Sequence, residues 1–308
     1  MLNINHQLIL IFERLIIVSS IGTVLVATLF FVYKDQRDKV IKSGQKLINL
    51  LSIILLFFVT GLIGKWAVLP VILVIGFYGW VEFINAIKHY KSSESNETYQ
   101  NALIICGLLG ISIGLLEFSI VTFIMFITLI WVTVIGNILI VQEPSPLYIT
   151  LGTTFGMVFI TFPLIILLNL VSVSYEEFIL LIALVMGNDG FAQAFGQLLG
   201  KTPLVPQISN NKTIEGSLGG LISCLFISYL SYFLFPEWEL WQLLLLSGII
   251  SIFCLLGDLM ASSLKREVGI KDFGKILGAT GGMLDKFDSL LFATPIFYLI
   301  VYLYDVGL

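Results

Sequence analysis

Between Asp258 and Asp288 the chain concentrates groups that could handle phosphate. Asp258, Lys265, Arg266, Lys271 and Asp272 come first, then a Gly-rich turn from Gly278 to Gly282, then the carboxylate pair Asp285 and Asp288. On a helix, Asp258, Ser262 and Lys265/Arg266 fall at i, i+4 and i+7/i+8, which is one face. Asp285 and Asp288 at i and i+3 share another. Carboxylates without His or Cys select hard cations, above all Mg²⁺, which is commonly held by one or two carboxylates plus substrate phosphates. Lys and Arg beside such a cation suit phosphate oxygens. The pattern therefore points to metal-assisted phosphoryl or nucleotidyl transfer. The bland alternative is a solvated loop whose charges only pair with one another.

A second cluster runs from Gly187 to Gly220. Asp189 lies inside an apolar segment, where an ionised carboxylate costs about 2.5–3.5 kcal/mol on insertion scales. It should therefore face a polar cavity or a cation. Lys212, Thr213 and Glu215 precede a helix opening near Gly216-Ser217. Thr213 could be only a helix cap, and Glu215 only a first-turn carboxylate. The small-residue spacing Gly216, Gly219 and Gly220 suits close helix packing better than ligand binding.

The elements that must position these groups are membrane spans. The 308-residue chain is 58% hydrophobic and only 12% charged, against about 25% charged residues in soluble domains. Ten segments approach membrane length: 15–33, 47–64, 66–87, 102–116, 118–141, 148–173, 178–200, 217–235, 240–260 and 287–304. If all ten cross and the 34–46 loop is cytoplasmic, 14 of the 16 Lys+Arg fall on that side, leaving only Arg14 and Lys65 opposite. Both termini then lie outside, and the 201–216 and 261–286 loops share the cytoplasmic face. The first segment is too long for a cleavable leader and lacks a small-residue cleavage site. The 3 cysteines sit in apolar runs, and the 2 histidines, His6 and His89, lie far from either cluster. That sets aside Ser-His-Asp, Cys-His and His-ligated zinc chemistry. Membrane-depth polar residues are expected in the carboxyl-terminal half, which disfavours a transporter with paired broken spans.

The residues also resemble a known family. Ser262-x-Leu264-Lys265-Arg266, four residues, Lys271-Asp272, then Gly281-Gly282-x-x-Asp285-x-x-Asp288 is similar to the signature of phosphatidate cytidylyltransferases (CDP-diacylglycerol synthases). Gly257-Asp258-Leu259 matches its lead-in. Asn188-Asp189, Phe195-Gly196, Gly200-Lys201, Pro206, Ile208-Ser209, Lys212-Thr213 and Glu215-Gly216 match a second block of that family. Departures are Thr280 for its His, Lys286 for its Arg, Ala261 for its Glu and Ile214 for its Trp.

The resemblance implies an all-α, polytopic membrane enzyme of about ten spans with its site at the cytoplasmic interface. It would be one integral domain, 1–308, with a helical half at about 15–175 and a catalytic half at 176–308. The implied reaction joins phosphatidic acid or another lipid phosphate to CTP, giving a CDP-lipid and pyrophosphate. Mg²⁺ is the implied cofactor, with Asp258 and Asp272 as its ligand pair. Lys265, Arg266 and Lys212 would complete the catalytic set by neutralising phosphates. Asp189, Thr213, Glu215, Ser262, Lys271, Gly281, Gly282, Asp285, Lys286 and Asp288 would bind or orient substrate. The lipid would enter sideways from the bilayer and CTP from the cytosol. Membrane lipids are the expected surroundings, no nucleic acid is expected, and a homodimer is one assembly open to such a protein. A bacterial cytoplasmic membrane is the expected location. The alternatives are a related lipid kinase or nucleotidyltransferase with altered substrate, and an inactive transporter or binding protein on the same scaffold.

Overall fold

A chain in hydrocarbon must satisfy its backbone internally, so long apolar runs become helices. The structure, a computed structural model, describes residues 17, 20, 24, 37–91, 97–116, 119–140, 146–278 and 281–307. In chain order the helices are α1 (Arg37–Ile63), α2 (Lys65–Lys91), α3 (Glu97–Ser112) and α4 (Ile120–Ile140). Then α5 (Pro146–Gly156) runs through a π turn, Met157–Thr161, into α6 (Phe162–Val173). The second half holds α7 (Tyr175–Leu199), α8 (Ile214–Ser231), α9 (Leu240–Glu267) and α10 (Leu284–Asp305). A two-stranded antiparallel hairpin, β1 (Pro203–Val205) and β2 (Ser209–Thr213), lies between α7 and α8. Pro203 sits opposite Thr213 and Val205 opposite Ser209.

Six helical stretches among the described residues are long and apolar enough to cross a bilayer. They are Lys65–Lys88, Thr150–Val173, Tyr175–Leu199, Ile214–Leu234, Leu240–Glu267 and Leu284–Asp305. Three shorter apolar helices are Ile48–Ile63, Gln100–Leu115 and Ile120–Gly136. The protein is thus an all-α integral membrane protein. These nine stretches answer to nine of the ten expected segments. Three fall short of full spanning length, so the count of ten is not established. The first expected segment, 15–33, lies outside the described residues apart from single positions.

Packing of α7 on α8, α8 on α9 and α9 on α10 builds the half that carries both polar clusters. The α7/α8 contact depends on small residues, as expected. A Cβ on Gly219 would lie 2.5 Å from Phe195 Cβ, and one on Gly220 would lie 2.7 Å from Asn188 Oδ1. Only glycine lets the helices approach this closely. The first half is anchored onto the second by aromatic contacts. Phe57 of α1 meets Phe178 of α7 at 5.8 Å and Phe287 of α10 at 6.3 Å, both edge-on. In α2, Trp80 is fully buried and donates its indole N–H to Thr161 Oγ1 of the π turn at 3.1 Å. That bond meets the need of a buried indole for a partner and fixes the rotation of α2 about its axis.

Candidate active site

Four elements bring the polar groups to one end of the second half. α7 runs unbroken through Asn188 and Asp189. The Asn188 Oδ1 accepts the Ser251 hydroxyl of α9 at 2.7 Å, and its Nδ2 reaches Asp189 Oδ1 at 3.5 Å. The hairpin is drawn against α8 by Glu215, whose carboxylate accepts the backbone N–H of Lys201 at 3.1 Å and of Thr202 at 3.2 Å. Thr213 caps α8, its hydroxyl accepting from Gly216 N at 3.1 Å. Both residues thus have the local roles that their positions allow. Together they aim Lys212, the penultimate residue of β2, at α9.

Lys212 Nζ lies 2.7 Å from Asp258 Oδ2. Burial holds the Lys212 ammonium below the ordinary lysine range. Asp258 opposes that shift most strongly, with Asp288 and Asp189 adding to it. Asp189 in turn interacts with the charges of Lys286 and Asp258, and Asp288 with those of Asp258, Asp189 and Lys265. Lys212 and Asp258 are thus in direct contact, and Asp189, Asp288 and Lys286 lie near enough for their charges to act on this region. Asp258 is the most open of the three carboxylates, with 42% of its side chain exposed, while Asp288 is 3% exposed.

Beside this group lies an anchor. Lys265 pairs with Asp285 Oδ1 at 2.7 Å and faces the Phe273 ring at 5.4 Å. The other oxygen of Asp285 accepts the backbone N–H of Phe273 at 2.8 Å and of Gly282 at 2.9 Å. One carboxylate so fastens the backbone at Phe273 and Gly282 to the end of α9. Gly281, at φ +91°, adopts a conformation that favours glycine. Ser262 is buried on the same helix face as Lys265. Arg266 is exposed and donates to the carbonyls of Ile208 at 3.4 Å and Ile270 at 3.3 Å, bridging the hairpin and the turn.

Lys271 and Asp272 are exposed on the turn. Thr280 lies outside the described residues. The expectation that membrane-depth polar residues lie in the carboxyl-terminal half is incorrect. Glu82 of α2 and Asn169 of α6 are both buried. Asn169 donates to the Leu116 carbonyl at 3.0 Å. Glu82 accepts the backbone N–H groups of Met283 and Leu284. Its signal in the sequence was one carboxylate in an apolar run, the kind of residue that carries a function by default.

The donor set suits a hard cation shared with phosphate. This region and its anchor hold Asp189, Asp258, Asp285 and Asp288 against Lys212, Lys265 and Lys286. No group of three or more His, Cys, Asp or Glu among the described residues is arranged to hold a metal; a dication here would need one or two carboxylates together with substrate oxygens.

The sequence profile of the cytidylyltransferase family matches residues 44–304. The chain is also similar to proteins named phosphatidate cytidylyltransferase. The Staphylococcus haemolyticus protein is 50% identical over 111 residues, 35% of this chain and 42% of that protein. The Staphylococcus aureus (strain COL) protein is 46% identical over 110 residues, with the same coverage of 35% and 42%. The Aquifex aeolicus protein is 38% identical over 157 residues, 49% of this chain and 58% of that protein. The matched region thus spans about half the length of these relatives.

Proposed function

Because the chain belongs to the cytidylyltransferase family, we propose that it transfers the cytidylyl group of CTP to phosphatidic acid. A lipid phosphate oxygen attacks the α-phosphorus of CTP. The new P–O bond forms as the bond from the α-phosphorus to the bridging oxygen breaks, and pyrophosphate leaves. The observation that carries this reading is the convergence of Lys212, Asp258, Asp189, Asp288 and Lys286 at one end of α7 to α10. The names of the relatives support the choice of phosphatidate as acceptor.

Asp258, the open carboxylate, would hold Mg²⁺ together with substrate phosphate oxygens. When bound, the metal supplies charge neutralisation on the phosphates and orients attacking and leaving oxygens. Lys212, now held by Asp258, is placed to exchange that partner for a phosphate oxygen. Lys286 sets a second positive charge beside Asp189. Lys265 is committed to Asp285, so it supports the turn rather than substrate. Asp272 could join the site if the exposed turn folds inward over nucleotide. Purified protein given CTP, phosphatidic acid and Mg²⁺ is expected to form CDP-diacylglycerol. Absence of that product with every lipid phosphate tried would end the proposal.

The site is proposed to face the cytoplasm of a bacterial membrane, on the charge asymmetry. Cys224 and Cys254 are fully buried, so replacing Cys106 alone gives a quiet background for labelling. Lys201→Cys and Lys271→Cys, both at exposed positions, are expected to react from the cytoplasmic side. Glu237→Cys should react from the other side. Reaction of Lys201→Cys and Lys271→Cys from opposite faces would contradict the shared site.

A further inference from the structure

Glu82 belongs to α2, in the amino-terminal half of the chain. It is 4% exposed. Its Oε1 accepts Met283 N–H at 2.9 Å and its Oε2 accepts Leu284 N–H at 2.8 Å. These groups open α10, and Met283 itself provides no side-chain cap. A helix start leaves several N–H groups without partners, so a carboxylate 201 residues away in sequence performs the capping. The backbone at Gly274 and at Gly282 closes around the same carboxylate from both sides. A Cβ on Gly274 would lie 2.2 Å from Glu82 Oε1, and one on Gly282 would lie 2.4 Å from it.

The next link is short. Gly282 donates to Asp285, which holds Lys265 and the Phe273 backbone. One turn on along α10 come Lys286 and Asp288, members of the convergent group. The carboxylate therefore sits behind this backbone, bonded to no other described charged side chain.

We propose that Glu82 is a positioning residue: by capping α10 and seating the backbone at Gly274 and Gly282, it sets the placement of Lys286 and Asp288. This rests on the cytidylyltransfer reading for its kinetic consequence, though the tether itself does not. A displacement of about 1 Å in such groups can lower turnover by about 100-fold. Glu82→Gln keeps one carbonyl oxygen and can hold one N–H. Glu82→Ala holds neither.

The test uses the full chain in membranes, with two readouts. The first is the rate of tryptic cleavage after the exposed Lys271 and Lys275. It should rise about ten-fold in Glu82→Ala as the turn opens more often. The second is steady-state kinetics with CTP and phosphatidic acid. Here kcat should fall roughly 10- to 100-fold in Glu82→Ala with KM for CTP little changed, and Glu82→Gln should lie between it and wild type in both readouts. Wild-type cleavage and kcat in Glu82→Ala would overturn the proposal. If that variant does not accumulate, Glu82→Gln decides: wild-type behaviour in both readouts overturns it, and intermediate behaviour supports it. If the unaltered protein makes no CDP-lipid, the functional reading fails while the cleavage rates still test the tether.

Discussion

Asp258→Asn is expected to lower turnover on the order of 100-fold or more, with the protein still accumulating in the membrane. Asp258 is the open carboxylate of the convergent group, and its ion partner is Lys212 at 2.7 Å. An amide keeps the shape but can neither balance that ammonium nor hold a dication. The Asp258 side chain is 42% exposed, but the buried Lys212 ammonium loses its partner, so folded protein is to be quantified beside turnover and the fall in turnover should exceed any fall in folded protein. Raising Mg²⁺ should recover part of the activity if the remaining carboxylates hold the ion weakly. Asp272→Asn belongs beside it. A comparable loss would bring the exposed turn into the site during turnover, and near-normal activity would leave the metal to Asp258 and substrate oxygens. Near-normal turnover of Asp258→Asn would remove it from the centre of the account.

The second large effect concerns stability. Asp285→Ala is expected to destabilise the protein by about 3–5 kcal/mol, as breaking a buried pair does when one charge is left behind. Lys265 is 8% exposed, so its ammonium would be stranded, and the N–H groups of Phe273 and Gly282 would lose their acceptor. Lys265→Met should cost less, because Asp285 keeps both backbone donors. Unfolding of the two variants in mixed micelles measures the difference. Equal losses, or a larger loss for Lys265→Met, would show that the carboxylate does not fasten the turn.

The parts legible from sequence were those set by local pattern. Apolar length placed nine of the helices, because lipid selects for it residue by residue. Glycine spacing at Gly216, Gly219 and Gly220 foretold the tight α7/α8 contact. The i, i+4, i+7 face of Asp258, Ser262 and Lys265 follows from helical pitch once α9 is continuous. What stayed hidden were pairings between elements. The Lys212–Asp258 ion pair joins a hairpin to a helix 46 residues on, and Lys265–Asp285 closes a turn of irregular backbone. Neither spacing carries a period. The pairing of Asp272 with Asp258 came from the family resemblance, and the structure leaves Asp272 exposed on the turn after Gly269. Glu82 was the least readable residue, since its partners are backbone N–H groups that any sequence would supply.

The proposed attack on the α-phosphorus of CTP can be followed with separately labelled phosphates in a reaction of purified protein with phosphatidic acid and Mg²⁺. Label at the α-position is expected to appear in the lipid product, with γ-label leaving entirely as pyrophosphate. Lipid carrying the γ-label would contradict the account and make this chain a lipid kinase on the same scaffold. Label in neither lipid nor pyrophosphate would contradict it in favour of a binding protein.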